Sequence, residues 1–373
     1  MSLKTTTAPL ALCLAACAAS PALAQQPGAE HPTTLDEIIV TGTKTGDFGV
    51  RSGIPLSRMP QSVQVLDDAD VHSGGVRSIE DALRAVPSAT VAGSRIGTGT
   101  SNTLRLRGFA AQLMRNGMRQ RYYEGVDSSA LSNIERVEVL KGPSGVLYGQ
   151  SGVGGIVSII TKQPTPTFEG SVALTAGSHD RRMATIDLGG PLTDALGVRL
   201  TGEIERSDSF VDHIGLAREN IALTVAWRPT DRVTAYLVGE YLNRRTASNP
   251  GLPTVGTVIG NGVATVDRST FLGEPGYSLQ ENDAPLIQAW ADVRLNDRWT
   301  LTPRLQYSAF NNTARSTTLL APVAGQPTLI QRTGRNAGEH DEFHVAQLDL
   351  AGRARALGSN TPCCWASSTA RSG

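Results

Sequence analysis

The chain has 373 residues, and its 34 Lys and Arg balance 34 Asp and Glu, so net charge implies neither a polyanion-binding surface nor an acidic tail, and nucleic acid is not an expected partner. Its 39 glycines, with many Thr, Ser and Val, favour β-structure with numerous turns over a helical bundle. After the N-terminal stretch no apolar run reaches about 18 residues, so any membrane crossing is expected to use strands.

In chain order, residues 1–24 read as a secretory signal. Lys4 gives a basic start, Ala8 to Ala19 an apolar stretch, and Ala22-Leu23-Ala24 a small-x-small cleavage site before Gln25. The rival reading, a lipoprotein-like LAAC ending at a lipidated Cys17, has the poorer peptidase site. Cysteine appears only at positions 13, 17, 363 and 364, which leaves the body without a disulfide framework or a thiol nucleophile.

Residues 25–45 form a polar arm that ends in LDEIIVTGTK, a β-branched run with no obvious pairing partner. Residues 46–166 read as a compact α+β domain. SIEDALRAVPS predicts a helix capped by Ser78, with Asp81 at the capping-box spacing and Ile79, Ala82, Leu83 and Val86 on its apolar face. IERVEVLKGP and GGIVSIITK predict two strands. Gly142, Gly145, Gly149, Gly154 and Gly155 are expected to serve turns and close backbone approach rather than a site. SGVGGIV fails as a dinucleotide fingerprint, because Val157 stands where the third glycine belongs.

From 167 to 353 the texture is long alternation. Trp299, Leu301, Leu305 and Tyr307 share one face, with Thr300, Thr302, Arg304, Gln306 and Ser308 on the other. Val198, Leu200 and Ile204 oppose Arg199, Thr201, Glu203 and Glu205 in the same way. Leu223, Val225 and Trp227 fall together, as do Ile287, Ala289, Ala291, Val293 and Leu295. Short links (PLTDALG, PTD, ND) alternate with long ones through Ser207 to Arg218, Asn243 to Asp283 and Asn311 to His340. That pattern predicts a transmembrane meander of about eight strands, each about 9–11 residues long. His340 and His344 in HDEFH would lie about 13 Å apart on a strand, too far for one zinc. No catalytic constellation is evident, so neither an enzyme nor a protein-held cofactor or metal is expected.

The stretches DEIIVTGTK, PQSVQVLD, LRLRGF, MRNGMR, SNIERVEVLKGPSGVLYGQSGVGGIVSIITKQP and GLPTVGTV…STFLGEPGYS run in the order found in one family. The chain resembles the TonB-dependent outer-membrane receptors of the ferric-siderophore type. The resemblance implies an α+β plug domain followed by an antiparallel transmembrane β-barrel, in the outer membrane of a Gram-negative bacterium. It also implies TonB-driven active import of ferric siderophores. Asp36, Glu37, Ile38, Ile39, Val40, Thr41 and Gly42 would be the TonB box, a strand kept unpaired for β-augmentation by the TonB energy-coupling complex. Ferric siderophore, outer-membrane lipid and the barrel-assembly machinery are the other implied partners, with iron carried by the siderophore. Arg95, Arg115, Arg119, Arg121, Tyr122 and Tyr123 are the candidate siderophore contacts, in outward plug loops rich in donors and aromatic surface. The alternative for the arginines is pairing with wall carboxylates such as Glu203 and Glu205. Heme, vitamin and sugar receptors share the architecture, whereas a passive porin lacks the plug block.

Residues 354–373 are expected to be aberrant. Alternation stops at ALGSNTPCCWASSTARSG, and codons compatible with NTPCCWASST give a strand-like His-Thr-Leu-Leu-Leu-Gly-Val-Glu-Tyr in another frame, so a frameshift is expected at or before Ser359. Plugged barrels close with about 22 strands, and the chain alone is therefore expected neither to insert nor to transport.

Overall fold

The computed structural model describes residues 62–73, 75–92, 103–120, 130–142, 153–260, 265–356 and 359–372. The chain divides into two compact units, Met1–Lys44 and Thr45–Gly373, and every element below lies in the second.

Its first part is an α+β domain: β1 (Ser62–Leu66), α1 (Asp68–Val71), α2 (Ile79–Leu83), β2 (Ala89–Ala92), β3 (Thr103–Leu106), β4 (Phe109–Ala110), β5 (Gln112–Arg115), β6 (Met118–Arg119), β7 (Ile134–Lys141) and β8 (Gly155–Thr161). One sheet has the order β1-β7-β8-β5-β6, and a smaller one joins β2, β3 and β4. The expected helix is α2. Ser78 caps it in an extended conformation, its hydroxyl accepting the Asp81 N–H at 3.3 Å, a contact that stabilises such a helix by about 1 kcal/mol. Ile79, Ala82, Leu83 and Val86 then pack with Leu66, Leu106, Ile134, Val137, Val139, Val157 and Ile159 into one core. Gly155 closes the β7–β8 pair at φ +131°, where an added Cβ would lie 2.1 Å from the Leu140 carbonyl oxygen, so no other residue fits.

The second part is a nine-stranded antiparallel meander in sequence order: β9 (Glu169–Gly177), β10 (Arg181–Thr193), β11 (Leu196–Asp208), β12 (Gly215–Thr230), β13 (Val233–Thr246), β14 (Leu279–Asn296), β15 (Trp299–Val323), β16 (Gln326–Ala356) and β17 (Ser359–Ser372). Registers carry the alternation across the whole sheet. Leu188, Leu200, Leu223, Gly239, Ile287 and Tyr307 stand in one row, while Arg199, Thr224, Val238, Gln288, Gln306 and Val345 form the adjacent row on the other face. Exposure identifies the faces: Ile287 and Leu305 are 52% and 60% exposed, whereas Gln288 and Gln306 are 0% and 4%. The apolar face is outward and the polar face is covered by the α+β domain, the polarity that a strand wall in lipid requires.

One expectation is corrected. The third long connection, Asn311 to His340, is strand instead: β15 and β16, of 25 and 31 residues, pair from Trp299↔Gly352 up to Val323↔Gln326 and meet in a tight hairpin. Residues 359–372 form β17, paired with β16 from Ala356↔Ser359 to Phe343↔Ser372, so the described wall strands number nine, in keeping with the expected count of about eight. A backbone ladder tolerates polar side chains that a hydrophobic pattern does not register. His340 and His344 lie on β16, and no group of three metal-ligating side chains occurs among the described residues.

Candidate functional site

The α+β domain meets the inner wall through the β5–β6 hairpin. Its turn is Asn116-Gly117, with φ of 48° and 76°, both positive as a type I′ turn demands, and this dipeptide is a strong hairpin signal. Wall residues grip the turn. The Arg304 guanidinium donates to the Asn116 carbonyl at 3.0 Å and packs over Gly117, while its Nε pairs with Asp349 at 3.3 Å.

Around the turn runs a ladder of buried amides. Asn116 Nδ2 donates to Gln288 Oε1 at 2.8 Å, and Gln288 Nε2 donates to the Arg115 carbonyl at 3.1 Å and to Gln306 Oε1 at 2.7 Å. Gln306 Oε1 also accepts from Gln120 Nε2 at 2.8 Å. Within the domain, Asn116 Oδ1 accepts the Thr161 N–H at 3.0 Å, which ties the turn to β8. Buried amides without partners would cost about 1–3 kcal/mol each, so the ladder specifies one seating of the hairpin.

Beside the ladder is a charged contact. Glu240 on β13, with a side chain 7% exposed, forms an ion pair with Arg115. It also accepts from Asn133 Nδ2 at 2.8 Å and from Asn220 Nδ2 at 3.1 Å. Asn220 in turn accepts from the Ser132 hydroxyl at 3.0 Å. A cavity of about 70 Å³ adjoins this cluster, lined by Ile134, Leu286, Phe310 and the Arg115 and Glu240 side chains. Where the domain leads into the sheet, Asp187 accepts from Lys162 at 2.8 Å and from Arg199 Nε at 2.7 Å.

Of the candidate siderophore contacts, Arg95, Arg121, Tyr122 and Tyr123 lie outside the described residues, as do the signal segment and the whole expected TonB box from Asp36 to Gly42. Arg115 and Arg119 are described. Both lie on the β5–β6 hairpin, where Arg115 is held by Glu240 and Arg119 presents an exposed side chain. Glu240 is the wall carboxylate that Arg115 meets, while Glu203 and Glu205, the examples given for the alternative of pairing with wall carboxylates, are taken by the wall itself. Arg218 pairs with them at 2.5 and 2.6 Å, and Arg181 with Glu205 at 2.7 Å. Gly142 and Gly155 adopt positive φ, Gly154 sits where a Cβ would meet the Phe109 carbonyl oxygen at 2.8 Å, and Gly145 and Gly149 lie outside the described residues. Glu240 and Gln288 were not named from sequence, and Gln306 only as a member of a polar strand face; their signal was polarity at inward positions of the alternating strands.

The profile of the TonB-dependent Receptor Plug Domain matches residues 55–156, which include this hairpin. The chain is 28% identical over 295 residues to the Ferrioxamine B receptor of Salmonella typhimurium (strain SL1344), covering 75% of this chain and 41% of that protein. It is 27% identical over 293 residues to the Ferrichrome outer membrane transporter/phage receptor of Escherichia coli (strain K12), covering 75% and 38%. Among solved structures, the closed form of the Ferric-Catecholate import receptor Fiu from Escherichia coli K12 shares the fold, with a TM-score of 0.77, 22% identity and coverage of 86% of this chain and 48% of that one. The ferripyoverdine receptor of Pseudomonas aeruginosa bound to ferripyoverdine gives a TM-score of 0.76, 22% identity and coverage of 88% and 46%. The chain thus spans less than half the length of these proteins. Residues 55–156 match the plug domain of TonB-dependent receptors, and the chain as a whole resembles outer-membrane siderophore receptors, with a plug seated on an outward-apolar strand wall.

Proposed function

We propose that this chain supplies the plug and nine wall strands of an importer of ferric siderophores, driven through Asp36 to Gly42 by a TonB energy-coupling complex. The observation that carries this reading is the seating of the plug hairpin. Asn116, Gln120 and Arg115 are hydrogen-bonded to a polar inner wall whose opposite face is apolar. A pore filled in this way passes nothing until the plug shifts, which argues for a gated importer over a passive porin or an enzyme. The names of the relatives, ferrioxamine B and ferrichrome receptors, support an iron chelate as cargo.

In this reading the metal is held by the siderophore and the protein needs no cofactor. Arg119, together with Arg95, Arg121, Tyr122 and Tyr123, is assigned to the chelate, whereas Arg115 is assigned to the wall, because its guanidinium is already committed to Glu240. Among the described residues the sheet order runs from β17 to β9 without closing, and an unpaired edge in hydrocarbon leaves backbone groups unsatisfied. Transport is therefore assigned to a closed barrel that contains these strands, placed by the barrel-assembly machinery, and not to the nine-stranded sheet alone.

Growth rescue tests the proposal. Iron-starved cells lacking their own receptors and carrying the closed receptor are supplied with purified ligands one at a time. Rescue by a ferric siderophore is expected. Rescue by heme alone, or uptake of a vitamin or sugar without any siderophore response, overturns the cargo assignment.

A further inference from the structure

We infer that Glu240 couples two separate segments of the plug, so that withdrawal of Arg115 from this carboxylate also frees the segment held through Asn133. The inference rests on the reading of the chain as a gated importer and concerns how its gate is held. Arg115 lies at the end of β5 and Asn133 just before β7, and no hydrogen bond or ion pair between the two is among the described contacts. Both converge on the carboxylate of Glu240, which also accepts from Asn220 of the neighbouring strand β12.

The electrostatics make this carboxylate a shared dependency. It is 7% exposed, and Arg115 is the one cation recorded in contact with it among the described residues. The nearby wall arginine Arg218 is committed to Glu203 and Glu205, so it supplies no replacement. If Arg115 withdraws, a buried carboxylate is left with two neutral amide donors, which do not offset the loss of its counter-charge. The contact relaxes by admitting water, and water competes for the amide of Asn133. Release of the first segment thereby frees the second without direct contact between them. The amide ladder differs in kind. The side chains of Gln288 and Gln306 are neutral and, among the described residues, bond only to the hairpin and to each other, so breaking that ladder leaves the Asn133 contact in place.

Hydrogen exchange on the purified full chain in detergent tests the coupling, read at amides 112–120 and 130–134. Arg115→Ala and Glu240→Gln are each expected to speed exchange at both segments by at least about tenfold. Arg115→Lys, which keeps the charge but loses the planar fork, is expected to fall between these variants and the native chain. Gln288→Leu is expected to speed exchange at 112–120 alone. Arg206→Ala, which removes an exposed ion pair on the outer face, is expected to leave both segments as they are. The inference is overturned if Arg115→Ala leaves 130–134 unchanged, or if its effect spreads equally through α2 and β8, which would mark general loosening of the plug. Because the measurement uses no ligand, its failure leaves the cargo assignment untouched, and failed growth rescue leaves the coupling untouched.

Discussion

Gln306→Leu probes the seat of the plug most sharply, because one side-chain oxygen serves two buried donors. Gln306 Oε1 accepts from Gln120 Nε2 at 2.8 Å and from Gln288 Nε2 at 2.7 Å. Leucine leaves one N–H of each amide without an acceptor, while their second hydrogens still reach the carbonyls of Met118 at 3.2 Å and Arg115 at 3.1 Å. Two orphaned donors cost about 2–6 kcal/mol together. The added apolar surface of leucine returns about 1 kcal/mol. The expected net loss is about 1–5 kcal/mol, comparable to that for Gln288→Leu, which orphans one donor of Asn116 and the Arg115 carbonyl. The assay is urea-induced release of the plug from the purified chain in detergent, followed by proteolysis of the 112–120 hairpin. A shift within about 0.5 kcal/mol, the range of an ordinary surface substitution, would refute the claim that the amide ladder holds the plug.

Gly155→Ala places a methyl group 2.1 Å from the Leu140 carbonyl at φ +131°, so it is expected to break the β7–β8 pairing and abolish protease resistance of the plug. Leu223→Arg, on the outward face, is expected to cost about 2–4 kcal/mol in a membrane-unfolding titration, whereas Thr224→Ser, which removes one buried methyl group on the inner face, costs about 1 kcal/mol. In the long connection between β13 and β14, the Ser269 N–H and hydroxyl donate to the Asp267 carboxylate and hold its pKa below the ordinary 3.8. A depressed folded value means that this contact stabilises the loop above the unfolded pKa and is lost as pH falls through the folded one. The Ser269 amide resonance should therefore titrate below pH 3.8, and a midpoint above that value would contradict the contact.

Local pattern made part of this structure legible. Ser78 ahead of Ile79, Ala82 and Leu83 marks a capped helix, and the alternation through Leu223, Val225 and Trp227 marks a wall strand, because both signals lie within a few residues. The strand character of 311–340 was hidden, since its polar residues read as loop until β15 and β16 supply each other's backbone partners. Ladder pairing, not side-chain hydrophobicity, makes β17 a strand as well. The plug seat was the least visible. Gln288 is 172 residues from Asn116 and Glu240 is 125 from Arg115, and an inward polar residue has the same sequence signature whether it meets water or a plug. The Asn116-Gly117 turn was the available clue that MRNGMR forms a hairpin.

The central proposal, that force applied through Asp36 to Gly42 draws this plug from its seat, is tested most directly by Ile39→Pro in the closed receptor. β-augmentation relies on main-chain donors, and proline removes one and restricts the chain. Uptake of radiolabelled iron and binding of the same ferric siderophore are measured side by side on whole cells. The account requires uptake to be lost while binding stays at the native level. Normal uptake by the variant would contradict it.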